Sequence, residues 1–240
     1  MYAYWVYYIL GFVMIPGIIL GIYAQTKVRS TFNKYESTPT AKGRIAKDVA
    51  RIMLDSGDCS ETTIKEIHGE LTDNYNPKTN VVSLSKKVAN SNSISAIGVA
   101  AHEVGHVFQH KQNYAPVKIR NALVPALNIS SMLMWPLIIV GLILEIAFYS
   151  TWSYVLIYIG VGIYGLNTLF CLITLPIELN ASKRAYQMLV GANEMTIEEA
   201  KSAKKVLDAA AWTYVAALVT SVLSLIRLLW FIFAMRSNRH

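Results

Sequence analysis

The pentapeptide His102-Glu-Val-Gly-His106 carries the residue types best suited to chemistry in this chain. On an α-helix, side chains four residues apart share one face, so His102 and His106 can bind a single zinc ion. Glu103 lies one position further round the helix, where it can act as a general base toward a zinc-activated water. The six preceding residues, Ala-Ile-Gly-Val-Ala-Ala, are small or apolar, which is not typical of a solvated surface helix. We therefore favour a metal site over a chance match to His-Glu-x-x-His.

A zinc site that performs hydrolysis has three protein ligands and keeps one coordination position open. His110 is a poor third ligand, because it follows His102 by eight residues, which is about 12 Å along a continuous helix. We expect the third ligand to be Glu178, which follows an apolar stretch and falls on the same predicted side of the membrane as the histidines. Asn180 and Ser182 are close enough in sequence to orient a ligand. The alternative for Glu178 is a solvated charge beside the membrane.

The elements that must position these residues include long apolar stretches. The chain has 240 residues, of which 54% are hydrophobic and only 15% charged, whereas a soluble domain carries about 25% charged residues. This composition excludes a disordered chain and an ordinary cytosolic enzyme. Four stretches reach the roughly 20 apolar residues that a membrane-spanning helix needs, and aromatic residues lie mostly near their ends. These stretches are residues 4–23, 126–148, 152–175 and 209–235.

Lysine and arginine residues predict which loops face the cytoplasm. Most of them lie in residues 24–125 and 176–208, and the short turn at 149–151 has none. The positive-inside rule therefore places both long segments in the cytoplasm. We expect an N-terminal transmembrane anchor (1–23), a cytoplasmic metallopeptidase segment (24–125), two transmembrane helices (126–175), a cytoplasmic segment with the third metal ligand (176–208), and a C-terminal transmembrane helix with a tail (209–240).

The segment 24–125 has the patterns of a small α+β domain. Apolar spacing predicts a helix over residues 40–55 and another, carrying the histidines, over 93–112. Residues 73–77 indicate a turn, and residues 80–85 a short strand or hairpin with Val82 and Leu84 on one face. We expect residues 81–85 to form an edge strand beside the active site, to which an extended substrate adds through backbone hydrogen bonds. The alternative is an internal hairpin with no role in substrate binding.

Longer motifs around these residues resemble a known family. They are Gly69-Glu-Leu-Thr-Asp-Asn-Tyr-Asn-Pro77, Val82-Ser-Leu-Ser85, the segment from Ser93 to His106, and Leu175-Pro-Ile-Glu-Leu-Asn-Ala-Ser-Lys-Arg-Ala185. Nearly the whole chain resembles the bacterial membrane-bound neutral zinc metallopeptidases of the YugP type, which are similar to the HtpX and CaaX-prenyl-protease membrane gluzincins. The chain departs from the commoner form of that family at Asn74, Asn76 and Asn180.

The resemblance implies a fold, a site and a location. The fold would be a mainly α integral membrane protein, with about four transmembrane helices and a cytoplasmic α+β zincin-like domain. His102, His106 and Glu178 would bind one zinc ion per chain, and Glu103 would be the catalytic acid and base. The protein would be a multi-pass protein of the bacterial cytoplasmic membrane whose active site faces the cytoplasm. Its partners would be the lipid bilayer and a protein or peptide substrate.

Amide hydrolysis also needs a hydrogen-bond donor for the oxyanion. His68, Tyr75, Arg184 and Tyr186 are all candidates, and Tyr75 is favoured because it lies in a turn next to the strand.

The main alternative function is a non-catalytic membrane scaffold that binds a structural metal ion. Such a closed site would need a fourth protein ligand, and neither Cys59 nor Cys171 is well placed to supply one. A transporter has little support, because the chain has no repeated half. Nucleic-acid binding is not expected, since the basic residues flank the apolar stretches and are diluted by acidic ones. The sequence does not indicate an oligomeric state.

Overall fold

The computed structural model of this chain describes residues 11–70, 72–148 and 151–237. The start of the predicted anchor (1–10), most of the predicted turn at 149–151 and the end of the tail lie outside the described residues. The described helices are α1 (Ile15–Glu36), α2 (Ala46–Ser56), α3 (Lys86–Ala89), α4 (Ile94–Lys111), α5 (Ala115–Phe148), α6 (Thr151–Gly191) and α7 (Ile197–Ser237). The described strands are β1 (Thr63–Ile67), β2 (Asn74–Asn76) and β3 (Val81–Ser85). The chain is therefore mostly helical, with one small sheet.

The chain divides into two compact units. The first unit takes its described residues from Met1–Ile22, Lys118–Leu175 and Tyr214–His240. The second unit comprises Tyr23–Val117 and Pro176–Thr213, and it contains the whole sheet together with the His-Glu-x-x-His motif.

Helices long enough to cross a membrane run through the first unit. Among the described residues, two helices meet the length and apolarity of a span, at Trp152–Gly191 and Ile197–Ala234. Two further helical segments, Ala115–Ser130 and Met132–Glu145, meet at a bend of 43°. They form a third candidate span if they are counted as one bent helix. Pro125 and Pro136 lie inside this helix on either side of the bend, and a proline within a helix clashes with the carbonyl group four residues earlier and favours a kink. Two of the four predicted spans are thus supported.

Small residues allow close helix packing in the first unit. A Cβ atom at Gly141 would lie 3.0 Å from the backbone carbonyl oxygen of Ser153, and one at Gly160 would lie 2.6 Å from the side chain of Ile138. Such close approaches are typical of helices packed in a membrane. The buried Glu145 carboxylate accepts hydrogen bonds from the hydroxyl groups of Ser153 and Tyr154. A charge within an apolar stretch is therefore held by polar partners rather than left in an apolar environment.

The sheet of the second unit has the strand order β1-β3-β2. Strand β1 pairs with β3 in parallel, and Ile64 lies opposite Val82. Strand β2 pairs with β3 in antiparallel fashion, and Tyr75 also lies opposite Val82. The predicted strand at 80–85 is present as β3, but the expectation that it is an edge strand is wrong. Both sides of β3 are occupied by other strands, so the edges of the sheet are β1 and β2.

Two local elements begin or end at other residues than the sequence patterns predict. The predicted helix at 40–55 begins only at Ala46, because Gly43 has a φ angle of +65°, which lies outside the helical region.

The predicted turn at 73–77 is partly strand, since Asn74–Asn76 form β2. The turn follows at residues 77–80 and ends at Asn80, whose φ angle is +51°. Asparagine tolerates this left-handed conformation better than most residues.

The core of the second unit lies between the sheet and the helices α2, α4, α6 and α7. Helix α4 begins after Ser93, whose side chain accepts a hydrogen bond from the backbone N–H of Ala96, as an N-cap does. Helix α7 begins with a capping box, in which Thr196 and Glu199 exchange side-chain-to-backbone hydrogen bonds. Fully buried members of the core include Val49, Met53, Leu54, Val82, Leu84, Ile97, Val104 and Leu189. The His-Glu-x-x-His motif thus lies on a helix that is fixed by its cap and by this core.

Candidate metal centre

Helix α4 brings His102 and His106 together. The two residues are four positions apart on a continuous helix, and their ring centroids are 4.7 Å apart with the ring planes at 86°. The other sides of the helix are buried in the core, with Ala101, Val104 and Gly105 among the buried residues. Packing therefore leaves the helix little freedom to rotate, and the two imidazoles face the same space.

Helix α6 supplies a carboxylate to that space. The Oε2 atom of Glu178 lies 3.2 Å from Nε2 of His102 and 3.5 Å from Nε2 of His106. One ligand atom from each of the three side chains lies within 4.8 Å of the other two. Two imidazole nitrogens and a carboxylate oxygen are donors that zinc accepts in proteins with an open coordination position. The donor set and its spacing therefore fit a zinc ion.

A glycine permits the close approach of α4 and α6. A Cβ atom at Gly105 would lie only 2.6 Å from the backbone carbonyl oxygen of Ala181. Real Cβ atoms are essentially never this close to a carbonyl oxygen, so any larger residue would push the helices apart. Pro176 lies inside α6 and does not end it. The helix therefore runs without a break from the apolar stretch to Glu178.

Each histidine also contacts a second polar side chain through its Nδ1 atom. Ser182 Oγ lies 3.2 Å from Nδ1 of His102. This contact is close enough for Ser182 to orient the His102 ring. Gln109 Oε1 lies 2.9 Å from Nδ1 of His106. The amide nitrogen of Gln109 donates to Asn180 Oδ1 at 3.0 Å. Asn180 is therefore connected to His106 through the side chain of Gln109. Sequence reasoning missed Gln109, although its position three residues after His106 puts it on the same helix face.

The carboxyl group of Glu103 is buried beside the two histidines. Its residue is only 8% exposed, and this burial raises the pKa of Glu103 above its ordinary value, although positive charge on His102 and His106 would lower it. Burial also raises the pKa of Asp73, which accepts a hydrogen bond from the backbone N–H of Ser85 at 2.7 Å. A carboxylate with a raised pKa holds a proton more readily, which suits an acid–base group.

Several residues that the sequence suggested for substrate binding have other contacts. Val82 and Leu84 are 0% exposed and belong to the core. The Tyr75 hydroxyl donates to Asn80 Oδ1 at 3.1 Å, and its ring packs edge-on against His110. Strand β3, which carries both residues, pairs with β1 on one side and β2 on the other, so it has no free edge to which an extended substrate could add.

The remaining candidates for the oxyanion donor lie in different settings. Arg184 donates to Asn180 Oδ1 and to Gln112 Oε1. Tyr186 is partly buried and packs against the core, and His68 is exposed.

Comparison with known proteins identifies the family. The sequence profile of the family described as "Putative neutral zinc metallopeptidase" matches residues 10–233. The chain is 38% identical over 216 residues to "Putative membrane protease YugP" of Bacillus subtilis (strain 168), and this match covers 90% of the chain and 93% of the relative. No solved structure matches the chain. Since the profile covers nearly its whole length, the chain belongs to this family of neutral zinc metallopeptidases.

Proposed function

We propose that this protein is a membrane-embedded zinc metalloendopeptidase in which His102, His106 and Glu178 hold one zinc ion and Glu103 is the general base. The observation that carries the proposal is the convergence of three ligand atoms, from two helices, within 4.8 Å of one another. The neighbouring position of Glu103 gives the site a proton acceptor as well as a metal ligand set. Among the described residues, no other group of three His, Cys, Asp or Glu side chains has this spacing.

The protein's own residues account for the proton transfers of amide hydrolysis. A bound zinc ion supplies Lewis acidity, which polarises the scissile carbonyl group and lowers the pKa of a coordinated water. Glu103 accepts the proton that the attacking water loses as the new C–O bond forms. It then gives this proton to the leaving amine as the C–N bond breaks, and so returns to its starting state. Its burial helps the first step, because a carboxylate with a raised pKa is a stronger base.

The proposed substrates are membrane proteins or segments that emerge from the bilayer. Glu178 follows the apolar stretch 152–175 by only three residues, and α5, whose later part is apolar, begins four residues after α4 ends. We further propose four transmembrane helices, with residues 24–125 and 176–208 in the cytoplasm, on the basis of the lysine and arginine distribution. The relative from Bacillus subtilis, which is named a membrane protease, supports this setting.

A comparison of the purified protein with its Glu103→Gln variant tests the proposal. Both proteins should contain about one zinc ion per chain, because Glu103 is not a ligand. Only the unmodified protein should digest β-casein, an unfolded substrate, and the variant should be slower by at least about 100-fold, as expected for the loss of a general base. Equal rates would exclude Glu103 as the base. Zinc bound by both proteins, without hydrolysis by either, would favour a metal-binding scaffold.

A further inference from the structure

Gln109 is the polar residue most completely buried next to the metal ligands. Its side chain is 0% exposed, and all of its hydrogen-bonding contacts are to groups near the site. The amide oxygen faces Nδ1 of His106 at 2.9 Å. The amide nitrogen donates to the backbone carbonyl oxygen of Ile177 at 2.7 Å and to Oδ1 of Asn180 at 3.0 Å. The side chain of Gln109 thus contacts His106 on α4. It also contacts Ile177 and Asn180 on α6, which lie one residue before and two residues after Glu178.

These contacts fix the orientation of the amide. A backbone carbonyl oxygen can only accept a hydrogen bond, so the group facing Ile177 must be the NH₂ end of Gln109. The end that faces His106 is then the amide oxygen, which can only accept. The Nδ1 atom of His106 must therefore carry the proton and donate it to Gln109. In the neutral ring the lone pair is then on Nε2, the atom that lies 3.5 Å from Glu178.

The partner of His102 does not impose the same constraint. Ser182 contacts Nδ1 of His102 with a hydroxyl group, and a hydroxyl can either donate or accept. Ser182 therefore suits either tautomer of His102. Of the two histidines, only His106 has a partner whose chemistry selects the tautomer that binds a metal ion through Nε2.

We infer that Gln109 is a positioning residue of the metal centre, which selects the Nε2-coordinating tautomer of His106 and fixes the part of α6 that carries Glu178. The inference rests on the proposed function, since it concerns how tightly the zinc ion is held. Residues that orient metal ligands typically contribute about 10- to 100-fold in metal affinity. Gln109 acts on one ligand by a direct hydrogen bond and on another through the backbone at Ile177.

The test compares zinc affinity in Gln109→Met with that in a matched control, Ser95→Ala. Ser95 is also fully buried on α4, and its hydroxyl donates to the backbone carbonyl oxygen of Phe32 at 2.7 Å. Each variant therefore loses buried hydrogen bonding from the same helix, and both should unfold more easily without metal. Titration against a chromophoric chelator, with zinc ion as the only metal, should show about a 10- to 100-fold weaker affinity for Gln109→Met and no change for Ser95→Ala. Equal affinities in the two folded variants would overturn the inference.

A second measurement uses the unmodified protein, so it does not depend on a variant that folds. In zinc-loaded protein labelled with ¹⁵N-histidine, nuclear magnetic resonance should find the His106 ring proton on Nδ1, with slow exchange because Gln109 is buried. A proton on Nε2 of His106 would overturn the inference, even if zinc is bound tightly. If the unmodified protein takes up no zinc in the chelator titration, the proposed function itself fails, and the inference with it.

Discussion

Glu178 distinguishes the candidate metal centre from a pair of histidines on one helix. Its carboxylate is buried, and its Oε2 atom faces Nε2 of both histidines although it lies 76 residues after His102. A buried carboxylate needs partners that offset its desolvation. In this protein a divalent cation, bound by the same two imidazoles, would be such a partner.

The first prediction concerns the replacement of this ligand. Glu178→Gln removes the negative charge but keeps a side chain of similar size, so zinc affinity should fall by more than about 100-fold, beyond the usual effect of an orienting residue. Chelator titration measures this change. Glu194→Gln is the matched control, because Glu194 is another buried acid of the second unit, paired with Arg44 at 2.9 Å. Unchanged zinc affinity in Glu178→Gln would remove this residue from the ligand set.

At the residue scale, sequence patterns predicted the ligand candidates more readily than their supporting contacts. His102, Glu103 and His106 form a motif of five consecutive residues, so local spacing alone suggests their common use. Gln109 has no such signal, since the groups its amide nitrogen contacts are 68 and 71 residues away on another helix. Only the folded chain brings them together.

At the scale of elements, the backbones of α4 and α6 must lie close together for the ligands to meet. The approach depends on Gly105, where any Cβ atom would collide with the carbonyl oxygen of Ala181. Because a backbone atom cannot rotate away as a side chain can, the strain must be relieved by moving a helix. The helix that moves carries either the histidines or Glu178.

The second prediction follows from this contact. Gly105→Ala should lower the free energy of unfolding by about 1–3 kcal/mol, the usual cost of overpacking a core, and should also weaken zinc binding. Denaturant titration of the metal-free protein and chelator titration measure the two effects. Gly191→Ala is the control, since a Cβ atom there meets nothing within 4 Å. A Gly105→Ala protein with unaltered stability and zinc affinity would show that the helices do not need this close approach.

Local patterns predicted the positions of the main elements of the second unit but not their arrangement. The predicted helix at 93–112 and the strand at 80–85 correspond to α4 and β3, because apolar periodicity and a capping serine are local signals. The order of the strands is not local. Strand β1 precedes β3 by many residues yet pairs with it in parallel, and this pairing turns a predicted edge strand into the centre of the sheet.

At the scale of the whole molecule, the proposed site requires that residues 24–125 and 176–208 lie on one side of the membrane. Otherwise His102 and Glu178 could not share an ion. The distribution of lysine and arginine favours the cytoplasmic side for both segments. The prediction of sidedness does not depend on His102, His106 or Glu178. An experiment on sidedness is therefore an independent test of the proposed site.

The third prediction concerns this sidedness. In a protein whose two cysteines are replaced by alanine, the exposed residues Lys65 and Lys201 are changed one at a time to cysteine. Both should react with a membrane-impermeant maleimide in inverted membrane vesicles, and neither should react in intact spheroplasts. Reaction of the two cysteines from opposite sides of the membrane would contradict a shared site.

The position of the zinc ion itself tests the central claim most directly. In crystals of the zinc-loaded protein, anomalous scattering measured on both sides of the zinc absorption edge should show one strong peak per chain. We predict that this peak lies within about 2.0–2.2 Å of Nε2 of His102, Nε2 of His106 and a carboxylate oxygen of Glu178. A peak bound to other residues, or to the histidines without Glu178, would contradict the proposed metal centre.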